Sequence, residues 1–116
     1  MNILIVDDSP QIRINLKKFL SEIKGINVSG EAESSGDAVE LINKIKPELI
    51  ILDVELKNSS GFDVLKYVKK NMHSIVIMFT NHSSGYKNKA QAERADFFFD
   101  KTTELDKLLT TIKDLI

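Results

Sequence analysis

The sequence predicts an α/β fold, a doubly wound (βα)5 three-layer sandwich built on one five-stranded parallel sheet, and three observations carry that prediction. Five short apolar runs recur along the 116 residues, segments of helical spacing lie between them, and the two kinds of segment alternate from end to end. Such alternation means parallel strands joined by right-handed crossovers, with helices covering both faces of the sheet.

The apolar runs are Ile3 to Val6, Ile26 to Val28, Leu49 to Leu52, Ile75 to Phe79 and Phe97 to Phe99. Several lack polar alternation, as parallel strands buried on both faces require. Ile12, Leu16, Phe19, Leu20 and Ile23 give the first helix its apolar stripe, and Ala38, Val39, Leu41, Ile42 and Ile45 the second. Phe62, Leu65 and Val68 do the same for the third, and Leu105, Leu108, Leu109, Ile112 and Ile116 for the last. Ser9 before Pro10 reads as an N-cap followed by N1, and Ser34, Ser60 and Thr103 each stand three residues ahead of an acid. Residues 85 to 95 offer mainly Tyr86 and alanines, so the fourth helix is expected to be the least firmly anchored. Phe97, Phe98 and Phe99 run consecutively on an expected edge strand, so at least one should face outward.

The chain is long enough to bury roughly two thirds of its unfolded surface, and it reads as one domain over residues 1 to 116 with no repeat or linker. Sixteen basic and seventeen acidic residues leave a net charge of -1, which gives no global reason to expect nucleic-acid or membrane-surface binding. Without cysteine there is no disulfide, thiolate nucleophile or thiolate-bound metal. The first apolar run is too short for a signal peptide or a membrane span, so a cytoplasmic location is the expectation.

In a parallel sheet the residues just past the strands gather on one edge, where these folds bind ligands. Asp7 and Asp8 follow strand one, Asp53 follows strand three, Thr80 ends strand four and Lys101 follows strand five; only strand two ends without such a group. Three carboxylates, a hydroxyl and an ammonium together suit a hard cation and a phosphoryl group. Taken singly each has an ordinary explanation: a turn or cap for an aspartate, a solvated charge for Lys101, a backbone-satisfied hydroxyl for Thr80. Two adjacent carboxylates beside a Ser9 that already serves as the cap favour cation binding.

This set resembles the response regulator receiver domains over essentially the whole chain. The likeness rests on Asp7 and Asp8, Asp53 45 residues after Asp8, Thr80 27 further on, Lys101 21 beyond that, and Gly61 eight after Asp53. It implies a flavodoxin-like sheet of strand order 2-1-3-4-5. It also implies that Asp53 accepts a phosphoryl group from a sensor histidine kinase or phosphotransfer protein. Mg2+ would be held directly by Asp8, through water by Asp7, and by the Glu55 carbonyl, with Asp53 also in the metal site. Thr80 and Lys101 would bind phosphoryl oxygens. On phosphorylation Thr80 would swing inward with Phe98 following, altering the surface of the fourth helix, last strand and last helix for an unnamed protein target. The expected state is a monomer or a phosphorylation-induced dimer.

Departures from the family pattern are Thr102 and Lys57 at positions usually proline, and Asn81 where the family has a small residue. With Glu55 and His82, Asn81 is expected to tune phosphoryl lifetime; His73 reads as a surface residue. A haloacid-dehalogenase-type phosphatase would need Asp-x-Asp after strand one, and a flavin module a phosphate-cradling loop where this chain has two acids and Pro10. A phosphorylation-independent pseudo-receiver stays as an alternative, although such chains usually lose one of the five residues kept here.

Overall fold

A computed structural model describes residues 1–116 except His82 and the side chain of Ser83. One parallel sheet holds β1 (Asn2–Val6), β2 (Asn27–Ala32), β3 (Leu49–Leu52), β4 (Ile75–Thr80) and β5 (Phe97–Asp100) in the order 2-1-3-4-5. Helices α1 (Pro10–Ser21), α2 (Ser35–Ile45), α3 (Gly61–Asn71), α4 (Lys87–Ala92) and α5 (Leu105–Leu115) connect and flank the strands.

Successive strand side chains point to opposite faces, so each strand feeds two cores. Leu4, Val6, Ile50, Leu52, Val76 and Met78 pack with Ala38, Ile42, Leu65, Val68 and Ala90 of α2, α3 and α4. Ile3, Ile5, Leu49, Ile51, Ile77 and Phe79 pack with Leu16, Leu20, Leu108 and Ile112 of α1 and α5. β1 and β3 are buried almost completely because both faces are covered, which is why they read as unbroken apolar runs. The three phenylalanines of β5 divide between the two sides and none is fully exposed: Phe97 and Phe99 stack at 6.2 Å on the α1 and α5 side, while Phe98 packs on the α4 side.

Three start signals hold as read. The Ser9 hydroxyl accepts from the Ile12 N–H, Ser34 from Asp37 and Ser60 from Phe62. Thr103 does not cap α5. The N-cap is Glu104, whose carboxylate turns back to accept the Asp100 N–H, while the Asp100 carboxylate takes the Thr102 N–H and hydroxyl. These two acids organise the turn that Thr103 was expected to organise.

β2 runs to Ala32 rather than stopping at Val28, because as an edge strand it carries polar residues such as Ser29 and Glu31 on its half-buried length. It is followed by the carboxylate of Glu33, correcting the expectation that strand two ends without such a group; Glu33 faces Lys57 at 3.5 Å. A small antiparallel hairpin, Glu55–Leu56 with Ser59–Ser60, follows β3 and was not visible in the sequence. α4 is preceded by a 3-10 turn, Ser83–Gly85, and is only six residues long, with Ala90 its one fully buried residue.

Candidate functional site

The backbone ladder continues one residue beyond the strands and fixes the register of the site. The Asp7 N–H donates to the Ala32 carbonyl at 3.0 Å, that of Asp53 to Val6 at 2.9 Å and that of Lys101 to Thr80 at 3.0 Å. Asp7 and Asp53 are 2% and 6% exposed and Thr80 1%, whereas Asp8 is open to solvent. One carboxylate oxygen from each of Asp7, Asp8 and Asp53 falls within 4.8 Å of the others. Across them lies Lys101, its Nζ 2.5 Å from Asp7 Oδ2 and 2.9 Å from Asp53 Oδ2.

Two buried carboxylates share one ammonium, so local charge is not balanced. Burial pushes the Asp7 carboxyl above its ordinary 3.8, more than the hydrogen bonds from Lys101 and the Ser9 N–H can reverse. Burial alone would lower the Lys101 ammonium, but its hydrogen bonds to Asp53 and Asp7 prevail and raise it above 10.5. It stays charged. The second oxygen of Asp53, Oδ1, is buried and has no hydrogen-bond partner among the described residues. A buried carboxylate oxygen without a partner is costly unless something positive meets it. One oxygen from each of three carboxylates, all within 4.8 Å of one another, is a donor set of the kind a hard divalent cation requires, so the residues fit one.

The surrounding loops are tightly held. Gly61 is obligatory because a Cβ there would lie 1.9 Å from the Asp53 carbonyl oxygen. Arg13 reaches from α1 to donate from Nη1 to the Asp7 carbonyl at 2.6 Å and from Nε to Glu31 Oε1 at 3.1 Å. Lys17 also meets Glu31, at 2.8 Å, and that bond is the main cause holding the Glu31 carboxyl below its ordinary 4.5. On the opposite wall the Tyr86 hydroxyl donates to Glu55 Oε1 at 2.8 Å.

Of the residues read from the sequence, the fold brings Asp7, Asp8, Asp53 and Lys101 into one cluster, with Thr80 buried at the end of the neighbouring strand. Glu55, two residues beyond Asp53, is not one of the clustered carboxylates; its side chain accepts from the Tyr86 hydroxyl. Asn81 is exposed directly after β4, and Phe98 sits half-buried on the α4 side of β5. His82 lies outside the described residues. Arg13 and Tyr86 were missed; Arg13 had only its place one turn into α1 to recommend it, and Tyr86 was read as a core contact.

Known proteins are similar to this chain in sequence and in fold. A family model described as the response regulator receiver domain matches residues 3–113. The response regulator protein VraR of Staphylococcus saprophyticus is 30% identical over 115 residues, 97% of this chain and 55% of that protein. The sensory transduction protein LytT of Bacillus anthracis is 29% identical over 113 residues, 97% of this chain and 46% of its own. The chain therefore spans about half the length of these curated relatives. Among solved structures, the response regulator domain of Thermotoga maritima CheB superposes with a TM-score of 0.85 at 25% identity, covering 99% of this chain and 92% of that one. A signal receiver domain of a Luxo repressor protein from Vibrio parahaemolyticus superposes at 0.82 with 32% identity, covering 96% and 85%. Among the described residues no helix is long and apolar enough to cross a membrane. With the strand-end acids, the facing lysine and the sheet order agreeing with a match over nearly the whole length, the chain belongs to the response regulator receiver domains, the phosphoacceptor modules of two-component signalling.

Proposed function

We propose that Asp53 is the phosphoacceptor of this chain and that its phosphorylation depends on Mg2+ held by Asp7, Asp8, Asp53 and the Glu55 backbone carbonyl. The observation that carries the reading is the pair of unlike oxygens on Asp53, Oδ2 held by Lys101 and Oδ1 buried and bare. When bound, Mg2+ would neutralise charge on the carboxylates and on the incoming phosphoryl group. A carboxylate oxygen of Asp53 forms the bond to phosphorus while the bond to the donor, a phosphohistidine nitrogen or the oxygen of an acyl phosphate, breaks and its electron pair leaves with the donor. Lys101 already touches Asp53 through Oδ2 and stays protonated, so it would supply fixed positive charge to the phosphoryl oxygens. Thr80, at the end of β4, is the hydroxyl that would bind another of those oxygens.

In this reading Thr80 and Phe98 form the switch, and the surface they alter is that of α4, β5 and α5. Phe98 packs against the α4-side core, so its movement would be felt by α4. Glu55, Asn81 and His82 would set how long the phosphoryl group survives. A sensor histidine kinase or phosphotransfer protein is the donor, and a separate protein the target. Residues 1 to 116 act as one receiver unit.

The test uses intact mass spectrometry after incubation with a small acyl phosphate and Mg2+. Wild type gains one phosphoryl group and Asp53→Asn gains none; uptake by Asp53→Asn at the wild-type level would refute the assignment. A wild-type chain that takes up nothing would instead favour the pseudo-receiver.

A further inference from the structure

α4 has few means of holding its place. It is six residues long, its N-cap residue Tyr86 gives no side-chain cap, and Ala90 is its one fully buried residue. Its start is held by three contacts instead. The Tyr86 ring lies 6.0 Å from that of Phe62, centroid to centroid and tilted 59°; Lys89 Nζ stands 4.6 Å from the Phe62 centroid; and the Tyr86 hydroxyl donates to Glu55 Oε1. Both anchors, Glu55 and Phe62, belong to the short stretch that begins at Asp53. Glu55 is two residues beyond Asp53, and Phe62 follows the Gly61 that abuts the Asp53 carbonyl. Val54, Glu55, Phe62, Tyr86 and Lys89 line one open groove along this seam, close enough for the Asp53 charge to act on the Tyr86 phenol.

We propose that Tyr86 is a positioning residue. Its hydroxyl holds the carboxylate of Glu55, two residues beyond Asp53, in one place and ties the start of α4 to it, so that the position of that charge and the placement of α4 change together. The chemical half of this proposal rests on the reading of Asp53 as phosphoacceptor; the mechanical half does not. The ring and the hydroxyl do separable work. Tyr86→Phe keeps the contact with Phe62 and removes only the bond to Glu55. Without that bond the Glu55 side chain regains its rotamers, its charge leaves its fixed position, and α4 loses a polar anchor at its start.

The experiment compares wild type, Tyr86→Phe, Glu55→Ala and the double variant of the full chain, first unphosphorylated by hydrogen exchange. Each single variant should exchange the amides of Lys87–Ala92 about fivefold faster, the loss of one ordinary hydrogen bond, and the double variant no faster than the faster single. The second readout is decay of the phosphorylated protein. Tyr86→Phe should alter the decay rate in the wild-type background and leave it unaltered in the Glu55→Ala background, a dependence that ring packing alone would not produce. Unchanged exchange in Tyr86→Phe, additive effects in the double variant, or a decay rate indifferent to Tyr86→Phe would each overturn the proposal. If wild type accepts no phosphoryl group, the phosphoacceptor reading fails on its own, and the exchange comparison alone decides whether the tie to α4 exists.

Discussion

At the scale of single residues the site holds unneutralised charge, and its cost is measurable. Asp7 is almost fully buried and its carboxyl titrates above the ordinary 3.8. For an acid with a raised folded pKa, the folded state binds the proton more tightly than the unfolded one. The favourable contribution is therefore complete below the unfolded value and is lost as pH rises through the folded value. Asp7→Asn should accordingly raise the melting temperature at neutral pH in metal-free buffer, and the gain should shrink as pH falls toward 3.8. A lower melting temperature would mean that the bond from Lys101 outweighs burial. Asn81 carries a second prediction. It is exposed directly after Thr80, where its bulk would narrow the approach of a water in line with the Asp53 oxygen to phosphorus bond. Decay of the phosphorylated protein should be faster in Asn81→Ala; slower decay would show that the amide assists the water.

At the scale of elements, regular structure was easiest to read where both faces are buried and hardest at edges. β1 and β3 announced themselves as apolar runs, whereas β2 shares its length between core and solvent and was read too short. The junction of β3 with α3 shows how tightly one element can constrain another. Gly61 opens α3 with its N–H 2.7 Å from the Val54 carbonyl, and a methyl group there would collide with the Asp53 backbone, which has no flexible end to give way. Gly61→Ala should cost at least about 2 kcal/mol by urea denaturation. Stability equal to wild type would show that the turn can open without loss.

For the whole molecule, the consequence of two cores sharing one sheet is that Asp53 lies above both and α4 depends on one. The α1 and α5 side is packed by Leu16, Leu20, Leu108 and Ile112, while α4 contributes Ala90 and Tyr86 to the other side. A phosphoryl group on Asp53, as proposed, would shift most readily what is held weakly. Hydrogen exchange of the free protein and of a form carrying beryllofluoride, a phosphoryl mimic, should therefore differ most at α4 and, through Phe98, along the β5 side of the α4, β5 and α5 surface. A difference confined to α1 would contradict the proposed switch.

The sequence by itself determined the alternation of strand and helix, the sheet order through the family pattern, three of the helix caps, and which acids and which lysine reach the same edge. It could do so because these follow from local period and from the rule that parallel strands all end on one side. Tertiary structure alone decided that Asp7 is buried while Asp8 is open, that Lys101 rests on both Asp7 and Asp53, and that one Asp53 oxygen stays bare. It alone also brought Arg13 to the Asp7 carbonyl and Tyr86 to Glu55. Apart from the Arg13 contact, these bonds join residues dozens of positions apart, and all are set by side-chain reach and packing in the folded chain. No local spacing in the sequence carries that information.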